Sequence, residues 1–402
     1  MTATTAALER CVGDVRRFAD GRWGQRPLLH RRPGATFDDL LNLADVDHLV
    51  TGTLLRLPAI RLIRDGTPIP PSSYTHTITV GSRRVPETVR PERVLDAFAQ
   101  GATIVLQALH RQRPSVARFC RELELALTHP VQANAYVTPA TSRGLAVHHD
   151  THDVFVLQTH GKKSWRVYPP IVELAGKEQR WSKELGDPGS PMLEAELEPG
   201  DALYIPRGFP HDAEAQEDVS VHVTVGILAR TWLDVWRHVM NEAADHAPFR
   251  EQLPIGFARD PGALAEEMAV RAGEFRAWFD KVAGSETASS FVREFWTHRR
   301  PVLDGALLQV AGLGRLGPST ALRRRPGSVF DVSGDGLEAV VGLGDRELRM
   351  PAFVSSDLLF IAETRDRFTA GDLPGDLDVD SRLVLLRRLV REGALEVVDL
   401  GD

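Results

Sequence analysis

The stretch that decides the fold runs from Asn134 to Tyr168, NAYVTPATSRGLAVHHDTHDVFVLQTHGKKSWRVY. Val154 to Leu157 is a short apolar run, Gly161-Lys162 is a turn signal, and Ser164 to Tyr168 returns with alternating character. That order predicts two neighbouring strands joined by a tight connection. Just upstream, His148 and Asp150 stand two apart, and on an extended strand residues i and i+2 face the same way. His211 follows about sixty residues later in GDALYIPRGFPHDAE, after a Gly208-Phe209-Pro210 turn. Two histidines and one carboxylate are the donor set that holds non-haem Fe(II) on one face of an octahedron, with positions left open. Only His148 leads an HxD, so His149 is expected to point to the opposite face and to ligate nothing. A chance HxD, with the histidines satisfied in a polar cluster, is the bland alternative.

The open positions suit a 2-oxoacid, which chelates through two atoms, and O2. Such a centre hydroxylates C–H bonds with the metal and cosubstrate carrying the chemistry, while the protein orients them. The cosubstrate's far carboxylate then needs a buried cation. Lys163, across the turn on the next strand, is placed to supply a charge-assisted bond. A solvated hairpin lysine is the other reading of Lys163, and Lys162 is expected to face solvent. Asn134 and Tyr136, on the strand entering the core, are candidate polar contacts.

Working outward, residues 132 to 229 hold many short strands punctuated by Pro-Gly-Asp and Pro-Arg-Gly breakers, the pattern of a β-barrel or jelly roll of the cupin kind. Before it, short helices and strands alternate. Thr36 with Phe37, Leu40, Leu41 and Leu43 reads as a capped helix, and Asp45 as the cap of a second. Pro114 to Leu127 is helical, with Val116, Phe119, Cys120, Leu123 and Leu127 at core spacing. After Arg230, the spacing of Trp232, Val235, Trp236 and Val239 predicts an amphipathic helix. Pro261 to Ala283 and the region of Phe291, Phe295 and Trp296 predict two more. These aromatic stripes fit either a bundle core or a dimer seam.

The last segment reads strand, strand, helix (Ser356 to Arg365), helix (Ser381 to Arg391), strand (Leu395 to Leu400), a small winged-helix-like arrangement. From Ala321 onward, 11 Arg and no Lys stand against 16 Asp and Glu, a balance of −5. Such a surface repels phosphates, so DNA binding is not expected. The whole chain of 402 residues carries a formal charge of −7, which argues against a general nucleic-acid or membrane binder. Two separated cysteines, Cys11 and Cys120, form no disulfide framework and point to a reducing compartment. The first residues lack the apolar core of a signal peptide, and no apolar run reaches the roughly 18 residues that span a bilayer. A cytoplasmic protein is expected.

The motifs NAYVTP, HHDTHDVFVLQ, GKKSWRVYPP and GDALYIPRGFPHDAEA resemble those of the Jumonji-C-type cupins that include the ribosomal oxygenases of bacteria and animals. The match runs over roughly residues 101 to 230. It implies an α+β chain: a double-stranded β-helix (cupin, jelly-roll) core in 1–230, a helical dimerisation segment in 231–317, and a winged-helix-like domain in 318–402. It also implies Fe(II) on His148, Asp150 and His211, 2-oxoglutarate on Lys163, and Asn134 and Tyr136 in the cofactor pocket. A serine that contacts the cosubstrate in animal members falls at Gly226, a departure from the family pattern. The implied activity is hydroxylation of a histidine or arginine side chain of a ribosomal protein by a homodimer. Two other readings stay open: a hydroxylase of a peptide natural product or carrier-bound amino acid, and a non-catalytic metal-binding cupin that regulates through its tail.

Overall fold

The apolar runs around Asn134–Tyr168 become antiparallel sheets. In the computed structural model, which describes residues 5–142, 144–364 and 366–398, the chain divides into two units, Met1–Ala229 and Arg230–Asp402. The first holds thirteen strands among its described residues: β1 (Leu28–His30), β2 (Ile60–Arg64), β3 (Thr67–Pro68), β4 (Thr75–Val80), β5 (Arg83–Val89), β6 (Thr103–Leu106), β7 (Val131–Thr138), β8 (Asp153–His160), β9 (Lys163–Val167), β10 (Leu193–Leu197), β11 (Ala202–Ile205), β12 (His211–Ala215) and β13 (Ser220–Ile227). Eight form one sheet in the order β1-β11-β8-β13-β7-β6-β2-β3, three form a second, β10-β9-β12, and β4-β5 is a separate ribbon.

Alternation along the strands divides the core. Val131, Ala133, Ala135 and Val137 of β7, with Val221, Val223, Val225 and Ile227 of β13, join a large cluster with Leu8, Phe18, Phe119 and Leu123 from the helices before the barrel. On the other face of the large sheet, Val154 and Val156 of β8 pack with Trp165 and Val167 of β9, Leu203 and Ile205 of β11, and Phe209. Strand β8 is therefore buried on both faces, with Phe155 and Leu157 turned into the first cluster. This is why it reads in sequence as a continuous apolar run, not as an alternating one. Two antiparallel sheets sharing a core give the mixed helix-and-sheet cupin fold.

One early expectation is corrected. Residues 36–41 form no helix, only a turn at 38–40, because Phe37, Leu40 and Leu41 are all drawn into the main core. The helix is Leu43–Thr51, and its cap is Asn42. The Asn42 side chain accepts from the Asp45 amide while Asp45 accepts from the Asn42 amide, so Asp45 is the reciprocal partner in the box.

In the second unit the expected helices are Trp232–Ala243, Pro261–Val282 and Ser285–Thr297. The first starts on a Thr231–Asp234 capping box. Beyond them, helices Ser355–Glu363 and Val379–Arg391 and strands Leu322–Arg324, Asp331–Gly334, Glu338–Gly342, Glu347–Pro351 and Leu395–Val397 surround a core that includes Leu322, Val341, Leu358, Leu386 and Leu395. Arg365 and Leu400, the expected ends of one helix and the last strand, lie outside the described residues. Among the described residues no helix is long and apolar enough to cross a membrane.

Candidate metal centre

His148 and Asp150 do not lie inside a regular strand, contrary to the expectation from their spacing. His148 forms a single antiparallel bridge with His211, the first residue of β12: its amide donates to the His211 carbonyl (3.2 Å) and its carbonyl accepts the His211 amide (2.8 Å). The ladder goes no further because the Asp150 carbonyl is taken by the Gly208 amide (2.9 Å) from the turn before β12. These three backbone bonds bring the side chains together. The ligand atoms of His148, Asp150 and His211 all lie within 4.8 Å of one another, and no other group of three His, Cys, Asp or Glu among the described residues converges in this way.

The tautomers are set locally. His148 Nδ1 lies 2.8 Å from the Ala146 carbonyl and His211 Nδ1 lies 3.0 Å from the Phe209 carbonyl. A carbonyl only accepts, so each Nδ1 carries the proton and each Nε2 lone pair is free to ligate. Burial, with His148 adding to it, pushes the His211 imidazole down to about 4, which keeps it neutral at ordinary pH. Burial opposes ionisation of Asp150, but His211, His152, His148 and His149 outweigh it and hold the carboxyl below the usual range. A neutral imidazole and a carboxylate aimed at one point are donors for a borderline divalent cation, so the residues fit Fe(II).

The turn that delivers His211 is braced by Gly208, which the sequence marked, and by Asp153, which the sequence reading passed over. Gly208 has φ 84°, and a Cβ there would lie 2.0 Å from the Val172 carbonyl oxygen. Asp153, buried at the start of β8, accepts the Tyr204 hydroxyl (2.8 Å) and the Arg207 amide (2.9 Å). HxD drew attention away from the aspartate three residues later, whose job shows only in its partners. His149, as expected, turns away: its Nε2 meets the Gln179 carbonyl (2.9 Å) and its ring meets Trp181 edge-on.

A half-open pocket of about 470 Å³ adjoins the triad, lined by side chains that include Tyr136, Lys163, Trp165, His222 and Thr224. Lys163 is 2% exposed. Its Nζ donates to Thr138 Oγ1 (2.9 Å), and among the described residues no carboxylate pairs with it. Burial pushes its ammonium down to about 7. An unpaired buried amine beside two open-facing imidazoles fits the distal carboxylate of a 2-oxoacid. Lys162 points the other way and bridges Glu198 (2.5 Å) and Glu196 (3.5 Å) at the surface. Tyr136 lines the pocket; Asn134, on the same strand face, instead accepts the Ala108 amide (3.0 Å) and lies outside the lining.

Gly226 also lies on the pocket face of β13, and the space where its side chain would stand is taken. A Cβ at 226 would fall 2.4 Å from Cδ2 and 2.5 Å from Nε2 of His152. The absence of a side chain at 226 leaves room for that imidazole.

Residues 106–235 match the family described as the JmjC domain. The expected resemblance to Jumonji-C-type cupins holds. A "Bifunctional lysine-specific demethylase and histidyl-hydroxylase NO66" of Dictyostelium discoideum is 35% identical over 186 residues, 43% of this chain and 36% of that protein. "Ribosomal oxygenase 1" of Homo sapiens is 34% identical over 259 residues, 60% of this chain and 38% of that protein. The chain thus spans less than half the length of these curated relatives. A solved structure of YcfD, a ribosomal oxygenase from Escherichia coli in complex with cobalt and 2-oxoglutarate, covers 96% of this chain and 98% of its own, with a TM-score of 0.55 at 19% identity. That likeness is one of fold.

Gly226→Ser should lower stability by about 1–3 kcal/mol, the usual cost of overpacking. Adding His152→Ala should recover most of it. Thermal melts of the two single variants and the double check this; a double variant as unstable as the sum of the singles would contradict the packing assignment.

Proposed function

We propose that this chain is an Fe(II)- and 2-oxoglutarate-dependent oxygenase that hydroxylates one side chain, histidine or arginine, of a ribosomal protein. The observation that carries the reading is the conjunction of a three-donor centre with a buried lysine that lines the same pocket. His148, Asp150 and His211 would hold the iron through Nε2, a carboxylate oxygen and Nε2. With Fe(II), 2-oxoglutarate and O2 bound, the centre supplies the oxidation that turns a C–H bond into C–OH as the cosubstrate becomes succinate and CO2. The chain's own part is positional. Ala146 and Phe209 fix the imidazole tautomers, Lys163 anchors the distal carboxylate with Thr138 steadying its Nζ, and Tyr136 and Trp165 wall the pocket.

Relatives called ribosomal oxygenases and histidyl-hydroxylase, together with the fold likeness to a ribosomal oxygenase that takes cobalt and 2-oxoglutarate, support the substrate class. The same proposal divides the chain into a catalytic region 1–230, a helical region 231–317 and a winged-helix-like region 318–402. Homodimerisation through 231–317 is favoured by exposed Trp232 (73%), Leu233, Trp236 and Met268, a concentration of apolar surface unusual for an isolated helical segment. The acidic tail favours a role in structure or protein recognition over DNA binding. A cytoplasmic setting agrees with the ribosomal substrate.

Ribosomal proteins from a host lacking this gene, incubated with the enzyme, Fe(II), 2-oxoglutarate and air, should yield one protein heavier by a single oxygen in intact-mass spectra. His148→Ala should yield none. Equal modification by His148→Ala would contradict the assigned centre, and cosubstrate consumption without any modified ribosomal protein would move the substrate to a peptide outside the ribosome.

The pH dependence of cosubstrate binding follows from Lys163. The empty pocket holds it at about 7, whereas a bound carboxylate favours the ammonium and raises that value. Below pH 7 the lysine is already charged and affinity is flat with respect to it. Above pH 7 binding must take up a proton, so affinity should fall by up to about tenfold per pH unit. Calorimetry in buffers of different ionisation enthalpy reads this uptake directly; Lys163→Ala should abolish it and weaken binding by about 2–5 kcal/mol.

A further inference from the structure

The pocket beside the triad contains more hydrogen-bonding capacity than its walls satisfy. Lys163 Nζ has Thr138 but, among the described residues, no anion. Trp165 Nε1 is buried without a hydrogen-bond partner. His222, a residue no sequence motif marks, is 3% exposed, and its Nδ1 is buried without a partner. Native proteins seldom leave such groups unpaired, so several at one pocket call for an acceptor that arrives from outside.

His222 is held in one orientation. It lies on β13 opposite Tyr136 of β7, with the two rings stacked at 4.9 Å and 3°. Trp165 meets it edge-on from the facing sheet at 5.3 Å and 82°. Burial, with the neighbouring Lys163 charge adding to it, keeps the imidazole neutral, so it offers one N–H donor and one acceptor nitrogen. Of the two carboxylates that line the pocket, Asp150 belongs to the triad and Asp212 is engaged by Arg166. Among the described residues no acidic side chain is therefore left for the Lys163–His222 corner.

On the cosubstrate reading given above, we infer that His222 is a further cosubstrate-binding residue, its imidazole N–H donating to the distal carboxylate whose other contact is the Lys163 amine. The ring serves a second purpose as the stacking partner of Tyr136, so a useful variant must keep the ring and lose the N–H. His222→Phe does so, and His222→Asn returns an amide donor near the Nδ1 position.

The test is calorimetric titration of the Co(II)-loaded protein with two probes, 2-oxoglutarate and pyruvate, which shares the 2-oxoacid head but lacks the distal carboxylate. His222→Phe should weaken 2-oxoglutarate about 10- to 100-fold, the range for hydrogen bonds to charged groups. It should leave pyruvate and Co(II) binding unchanged, and His222→Asn should recover part of the loss. Unchanged 2-oxoglutarate affinity in His222→Phe would overturn the inference. So would an equal loss for both probes or a loss of Co(II) binding, since each marks a structural role only. Wild-type protein that binds Co(II) but not 2-oxoglutarate would overturn the cosubstrate reading beneath it, a result distinct from the failure of His222 alone.

Discussion

A single backbone bridge, two hydrogen bonds between His148 and His211, is the contact on which the site depends. It ties the irregular segment before β8 to the first residue of β12. The bond from Gly208 to the Asp150 carbonyl stops that ladder and turns the carboxylate inward. Together the two segments bring the three donor atoms within 4.8 Å of one another. The fixed tautomers, the positive-φ glycine and the buried Asp153 brace all act on these two segments. A site held by strand ends and braced loops gains the rigidity of the sheets without burying its open face.

The second constraint is electrostatic. A lysine 2% exposed with no carboxylate beside it among the described residues is a standing cost to the fold, because a buried cation needs either a partner or neutralisation. The structure tolerates this by letting the Lys163 ammonium fall toward 7 and by giving it one hydroxyl. On the proposed cosubstrate reading, the distal carboxylate of 2-oxoglutarate would supply the counter-charge that Lys163 lacks. Trp165 and His222 extend this logic from charge to hydrogen bonding.

Much of this was legible in the sequence where local rules dominate. The both-faces-buried run of β8, the Gly161 turn and the inward Lys163 beside the outward Lys162 follow from strand periodicity, which the register of β9 with β10 obeys. The HxD with a distant histidine picked out the three side chains that the fold brings together, yet its strand geometry was wrong, because a loop bond from Gly208 replaced the ladder bond that spacing presumes. Helix starts were blurred in the same way: Thr36 resembled a cap, but with Phe37, Leu40 and Leu41 buried in the core the cap is Asn42 and the helix starts at Leu43. Asp153 and His222 were invisible since their meaning lies in partners from distant strands. Gly226 was visible only as a departure from the family pattern; the His152 ring that takes its place comes from a different segment.

The most direct test of the centre is optical titration of the purified protein with Co(II), followed by addition of 2-oxoglutarate. The account predicts saturation at one Co(II) per chain, with weak visible bands characteristic of six-coordination that shift when 2-oxoglutarate is added. It also predicts loss of this site in Asp150→Ala with the fold retained by circular dichroism. No saturable Co(II) binding, or an unaltered spectrum in Asp150→Ala, would contradict it.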